Sequence, residues 1–374
     1  MKRRTSWSAA IVALAVAGLA LWGGLTTRAT AAPASAKLDK VTLQLKWVTQ
    51  AQFAGYYAAL AKGYYKAAGL DVTLKQGGPD IIPEQVVASG QAQFGVDWLP
   101  SLLAARDKGT DLVNIAQVFS RSGMTQLTWK SSGITTIADM KGKKVANWLG
   151  GNEFELFAAL VKNGMDPEHN KGVTIVQQPF DMNLFLQQKV DSASAMTYNE
   201  LAQVLESKNP KTGKLYTLAD LNVLKMQNVG TGMLEDGVFT NGSWIKSAAN
   251  QDIAKRFLKA SFQGWIYCRD HESACVQIVL KNGPTLGAGH QTWQLNEINK
   301  LIWPNADGIG LMDKAAYGRT AQIAQQFKVI KKAPSGAYRT DLAAAADQAL
   351  RSAGVNINGK GWKPAVVKVT PGGK

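Results

Sequence analysis

Cysteine and histidine are scarce in this chain of 374 residues, which has two of the first and three of the second. Two cysteines cannot build a disulfide-stapled scaffold or a four-cysteine zinc site. His169, His271 and His290 lie far apart, with no metal-ligand spacing, and leave little imidazole for acid–base chemistry. No G-x-S-x-G, phosphate-binding G-x-x-x-x-G-K-[ST] or H-E-x-x-H occurs. The net charge is +15, yet no run of five like charges appears. The basic residues are interspersed with acids, which reads as surface bias and not as a nucleic-acid-binding arm. No cofactor, metal or nucleic-acid partner is expected, and a monomer is.

What the chain does have begins with its N-terminus. Lys2, Arg3 and Arg4 precede the small, apolar stretch Ala9 to Leu21, and Ala29-Thr30-Ala31 offers a cleavage site, with Ala34-Ser35-Ala36 as a second. The apolar stretch is short for a membrane span. Residues 1–31 therefore read as a cleavable signal peptide and the remainder as an exported protein, periplasmic or otherwise extracytoplasmic. Hydrophobic content of 46% supports a real core, and the length suits two domains.

From Val41 the chain alternates strand-like and helix-like segments. Val41–Leu45 alternates apolar and polar, whereas Phe53 to Ala68 repeats rings and small residues at steps of three and four, predicting one helix. Similar alternation runs through Leu221–Met226, and from Asn250 onward the pattern is mostly helical. The whole reads as α/β in two lobes: 37–130 with 237–374, and 131–236. The chain crosses near Lys130 and again near Thr231–Val238, which predicts a hinged clamshell with its site in the cleft. In "CRDHESAC" one continuous helix would hold Cys268 and Cys275 about 10.5 Å apart along its axis, beyond the reach of a disulfide. An exported chain predicts the bond, and hence a helix break between them, with Asp270 or Ser273 as cap of the second helix.

Candidate ligand residues fall where strands end, the usual ligand position in open α/β sheets. Trp47 follows the first strand; it either caps a core or faces a ligand. Asp97 and Trp98 end the third strand, with Asp97 either an acceptor in the cleft or the cap of the next helix. Trp148, Gly150, Gly151, Asn152 and Glu153 form a strand end, a glycine turn and a helix start. That pattern lets a ligand approach backbone N–H groups. Tyr198 and Glu200 follow Ser192–Met196, and Glu235 lies at the second crossover as hinge acid or solvated turn. His290 and Trp293 read as core or surface of an amphipathic helix.

The segments "LKWVTQAQFAGYYAALAKGYYKAAGLDV", "GQAQFGVDW", "LLAARDKG", "ITTIADMKGKKVA" and "VDSASAM", in that order, resemble the thiamine-pyrimidine-synthesis-like branch of type II periplasmic solute-binding proteins. The resemblance covers roughly Lys40 to Lys246. It implies a two-lobe α/β fold closing on a small molecule, and an ABC importer permease as partner. It places Trp47, Tyr56 and Tyr57 at the cleft edge, with Phe53 in the core. Family ligands include thiamine-pyrimidine precursors, riboflavin, nitrate and alkanesulfonates. The family also holds pyrimidine synthases, which use pyridoxal phosphate, iron and a cysteine-rich motif that this chain lacks, so a receptor and not an enzyme is expected. The candidate turns gather rings and acids but few bases, with Lys46, Arg106 and Arg121 outside them. A nitrate or sulfonate site wants Arg or Lys, whereas a flat heterocycle suits rings and acids. An aminopyrimidine-type thiamine precursor is therefore expected, with riboflavin its nearest rival.

Overall fold

The computed structural model describes residues 37–374; the N-terminal basic and apolar stretch, with both cleavage motifs, lies outside the described residues. Among the described residues ten strands form: β1 (Asp39–Gln44), β2 (Leu70–Lys75), β3 (Phe94–Trp98), β4 (Leu112–Gln117), β5 (Met124–Trp129), β6 (Lys144–Asn147), β7 (Thr174–Gln177), β8 (Ser192–Met196), β9 (Leu221–Lys225) and β10 (Asp236–Asn241). They build two sheets, ordered β2-β1-β3-β10-β4 and β7-β6-β8-β5-β9. In each sheet one strand runs antiparallel to both its neighbours: β10 between β3 and β4, and β5 between β8 and β9. The remaining pairs are parallel. Each antiparallel strand lies directly after a crossover, so the two lobes are built alike.

This pairing corrects the first boundary. Residues 125–130 were expected to close the first lobe, but β5 belongs to the second sheet, so the chain crosses between Phe119 and Met124. The reason is non-local. Periodicity identifies a strand but not its partner, and β5 finds its neighbours about 70 and 100 residues downstream.

The single helix expected from Phe53 to Ala68 is also divided. A short 3₁₀ turn at Ala51–Phe53 leads into the helix Ala54–Ala61, and a second short helix runs over Tyr64–Ala67. Gly63 between them sits at φ 73°, in the left-handed region where glycine carries no steric cost. The Ala54–Ala61 helix packs on the long helix Ala248–Asp270 at glycine contacts. A Cβ on Gly264 would lie 1.9 Å from the Gly55 carbonyl oxygen, and one on Gly55 would lie 2.2 Å from the Trp265 ring. Only glycines permit that approach.

The Ala248–Asp270 helix stops at His271, whose φ and ψ of −137° and 55° are not helical, and the helix Glu272–Asn282 begins at the next residue. Across this break Cys268 and Cys275 form a disulfide, with Cα atoms 5.0 Å apart. Neither expected cap acts. The Asp270 carboxylate pairs with Arg269, and Ser273 falls inside the second helix.

The helix Ala288–Ile302 spans the two lobes. Gln291 and Gln294 accept the Ala51 N–H through their Oε1 atoms, at 2.7 and 2.9 Å. On the other side Trp293 Nε1 donates to the Thr197 carbonyl at 3.0 Å, and its ring packs on the second lobe's core. Among the described residues no helix is long and apolar enough to cross a membrane.

Candidate functional site

A narrow cavity lies between the lobes, lined by Trp47, Gln50, Gln52 and Trp98 from the first and by Trp148, Asn152, Phe180, Met196, Tyr198, Asn199 and Glu200 from the second. Trp98 ends β3, Tyr198 lies two residues beyond β8, and Trp148 immediately follows β6. The β–loop–α arrangement thus brings three strand ends together, and each delivers a ring. The Trp47 and Phe180 rings face each other across the lobes with centroids 6.0 Å apart, tilted by 47°. The free space is about 20 Å³, little more than one water needs, so the lobes stand close together.

The polar groups of this cavity are held from behind. An amide relay runs from Gln294 Nε2 to Gln50 Oε1 at 2.7 Å, from Gln50 Nε2 to Gln52 Oε1 at 3.1 Å, and from Gln52 Nε2 to Asp236 Oδ2 at 3.0 Å. On the opposite wall Glu200 accepts the Met196 N–H and the Asn199 side-chain amide. Asn199 Oδ1 lies 2.8 Å from His290 Nε2, and His290 Nδ1 is 3.0 Å from both Glu206 oxygens. Burial pushes the Glu200 carboxyl up to about 7, against its hydrogen bonds. Asn152 is buried with Nδ2 unpartnered, which leaves one wall donor free for a ligand acceptor.

Beside the ring cavity stands a buried ion pair of which the sequence singled out only Asp97. Lys46 Nζ is 3.4 Å from Asp97 Oδ2, and both residues are almost fully buried. Burial alone would lower the lysine; Asp97, then Glu84, holds it above its usual value. The same ammonium reaches the Gly150 carbonyl oxygen at 3.4 Å, and Ser101 Oγ donates to the Gly151 carbonyl at 2.6 Å. These two contacts join the lobes.

The hinge has its own carboxyl cluster. Glu235 Oε1 accepts the N–H groups of Gly123 and Met124, at 2.6 and 3.1 Å, so one crossover holds the other. Glu155 accepts from Ser122 at 2.7 Å. Glu155 Oε1 and Glu235 Oε2 are buried without partners. Burial pushes Glu155 up to about 8, and burial with the neighbouring Glu155 pushes Glu235 well up. A raised carboxyl holds its proton in the folded state after the unfolded chain has lost it. Stability is therefore expected to fall as pH rises from about 4.5 to about 8, the ordinary and shifted values of Glu155. Glu155→Gln should flatten that slope in melting curves taken between pH 5 and pH 8. An unchanged slope would remove Glu155 as its source.

The profile of one protein family matches residues 50–274, more than half of the chain. The chain belongs to the NMT1/THI5-like family. Relatives in sequence include the riboflavin-binding protein RibY of Chloroflexus aurantiacus, 24% identical, with 79% of this chain and 83% of that protein covered. A putative thiamine biosynthesis protein of Haemophilus influenzae is 23% identical, over 80% of this chain and 91% of that one. In fold, the periplasmic nitrate-binding protein NrtA of Synechocystis PCC 6803 superposes with a TM-score of 0.61 at 15% identity, covering 86% and 91% of the two chains. The two-lobe architecture is shared with this periplasmic binding protein.

Within this NMT1/THI5-like chain the residues singled out from sequence divide into three groups. Trp47, Trp98, Trp148, Asn152, Tyr198 and Glu200 come together around the cavity. Gly150, Gly151, Glu153 and Asp97 stand beside it with other partners. The Gly151 N–H, expected to face a ligand, donates to Glu153 Oε2 at 2.7 Å, while both glycine carbonyls accept from the opposite lobe. The turn is thus a contact between lobes and not a cradle of free N–H groups. Tyr56 and Glu235 lie elsewhere. Tyr56 packs edge-on against Trp265 in the core, because its neighbour Gly55 draws the helix onto Trp265; Glu235 sits in the buried hinge. Sequence reasoning missed Phe180, Gln50, Gln52 and the His290–Asn199 contact. Lys46, set aside for lying outside the candidate turns, is the buried cation of the cleft. Its position directly before Trp47 was the one available signal. Among the described residues no group of three His, Cys, Asp or Glu side chains could hold a metal ion.

Proposed function

We propose that this chain is the exported ligand receptor of an ABC importer and that it holds a flat heterocycle, a thiamine-pyrimidine precursor or a flavin, between its lobes. The observation that carries this reading is the cavity wall: five aromatic rings from both lobes, a free amide donor at Asn152, and no Lys or Arg. Stacked rings recognise planar π-systems. An anion such as nitrate or a sulfonate would need a free cation, and Lys46 already answers Asp97. A receptor fits better than a pyrimidine synthase because Cys268 and Cys275 are bound to each other, on helices distant in sequence from every cleft residue. The family and the N-terminal signal pattern support a permease as partner and a periplasmic location.

The test is thermal denaturation of the mature protein with a ligand panel. A hydroxymethyl-aminopyrimidine or riboflavin should raise the melting temperature, since a ligand at a hundred times its Kd adds about 2.7 kcal/mol. Nitrate and taurine should leave it unchanged. Stabilisation by the anions alone would overturn the heterocycle.

A further inference from the structure

A wide cavity of about 570 Å³ lies behind the hinge, within the size range of small-molecule sites. Both crossovers line it, through Ser120 and Ser122 of the first and Met233 and Leu234 of the second, and it shares no residue with the ring cavity. The crossovers stand between the two spaces. The Tyr198 ring, which lines the ring cavity, lies edge-on to Phe119 with centroids 6.2 Å apart, and a Cβ on Gly123 would be 3.3 Å from it. Asp236 turns its carboxylate to Gln52 in the cleft, whereas Leu234, two residues earlier, lines the rear cavity.

Three cations reach this rear cavity from three elements: Arg121 from the first crossover, Lys225 from the end of β9 and Arg319 from the helix Lys314–Gln326. All three are exposed, and none forms an ion pair among the described residues. Neutral groups fix the Arg121 guanidinium in place. It donates to the carbonyls of Lys300 and Leu301 at 3.2 and 3.3 Å, to the Pro304 carbonyl at 2.6 Å and to Ser120 Oγ at 3.4 Å. Carbonyl oxygens orient a guanidinium without cancelling its charge. Two carboxylates also border the cavity. Asp313 is engaged as cap of the Lys314–Gln326 helix, where Oδ1 accepts the Ala315 and Ala316 N–H groups, and Asp307 stands exposed at the rim. Behind Ser122, burial keeps Glu155 toward its neutral form, so it does not offset the cations.

We infer that the rear cavity binds a small multivalent oxyanion, a polycarboxylate or polyphosphate, on Arg121, Lys225 and Arg319, and that the bound anion favours the closed lobes. Guanidinium groups pair with carboxylate and phosphate oxygens through parallel N–H donors. Lys225 belongs to the second lobe, whereas the helix that carries Arg319 packs Ala316 and Ala324 against Leu99, Leu102 and Leu103 of the first. The anion therefore joins the lobes. Lobes that turn about the crossovers narrow the rear space as they open the cleft. Here the cleft holds about 20 Å³ and the rear about 570 Å³, so an anion that fills the rear fits the closed arrangement and is squeezed by the open one. Cleft ligand and rear anion then strengthen each other's binding. This coupling is the same whichever molecule the cleft holds.

Calorimetric titration of the mature protein with citrate and with pyrophosphate, at an ionic strength held constant with sodium chloride, tests the site. At least one of the two should bind at a single saturable site. Arg319→Ala should weaken it about tenfold, the size of a lost charge-assisted bond, and Lys225→Ala about threefold, as for an exposed pair. Both side chains are exposed, so the variants should keep the parent's melting temperature. Lys66→Ala, at an exposed lysine outside the cavity, should change nothing. Spin labels at Val48→Cys and Leu149→Cys, exposed neighbours of Trp47 and Trp148 on the two lobes, read the cleft width, because the native cysteines are bonded to each other. The anion should shift the label pair toward the shorter distance, and Arg319→Ala should abolish the shift. Failure of both anions to bind, or equal binding by the parent and the Arg319 and Lys225 variants, overturns the site. Binding with no change of distance, or with a longer one, overturns its coupling to closure.

Discussion

Lys46→Met should lower the free energy of unfolding by about 3–5 kcal/mol at pH 7, the size of effect seen when one partner of a buried ion pair is removed. Methionine fills a similar volume, so the loss is electrostatic. Asp97 would be left buried with its Trp98 N–H bond and no counter-charge. The link to Gly150 would also go. The sign of the pH dependence follows. Burial already raises the Asp97 carboxyl and Lys46 draws it back down; without Lys46 it is pushed up further in the folded state, so the variant recovers toward the parent as pH falls and Asp97 takes up a proton. The double variant with Asp97→Asn should regain most of the loss, because it removes the unpaired charge. Urea titrations of the four proteins complete the cycle. A loss under about 1 kcal/mol for Lys46→Met, or no recovery in the double variant, would mean that the pair is solvated and contributes little.

Trp47→Ala should weaken ligand binding by about 1–3 kcal/mol, the range known for stacking of a base on an aromatic ring, or about fivefold to 150-fold in Kd. Trp47 is only half-buried: it packs on the rim of the core and its ring meets Phe180 across the cleft. The fold should survive, with a melting temperature close to the parent's. The contrast is Trp265→Ala. That ring is fully buried against Tyr56 and Phe119, and its loss falls on stability, by about 3–5 kcal/mol. Unchanged affinity in Trp47→Ala, together with a large fall in melting temperature, would return Trp47 to the core.

Much of the architecture was legible from local pattern. Strand-length alternation and helical periodicity are properties of adjacent residues, so the β–α order along the chain could be read directly. Strand ends carrying Trp47, Trp98, Trp148 and Tyr198 could be marked for the same reason, since the carboxyl end of a parallel strand faces the cleft whatever the ligand. The need for a helix break between Cys268 and Cys275 followed from the rise of a helix alone.

Other features were decided only by the tertiary structure. Which sheet received β5 depended on β8 and β9, far along the chain. Tyr56 and Trp47 are aromatic and nine residues apart, and nothing local separates them. Glycine contacts between two helices buried the first, and the gap between lobes left the second at its edge. Lys46 and Asp97 carry opposite charges 51 positions apart, and Gly150 lies another 53 beyond. Their meeting is a property of β1, β3 and the turn after β6 in three dimensions. Local sequence specified which groups stand at strand ends; the packing of two lobes specified which of those groups face one another, because burial and electrostatic pairing depend on distance in space and not along the chain.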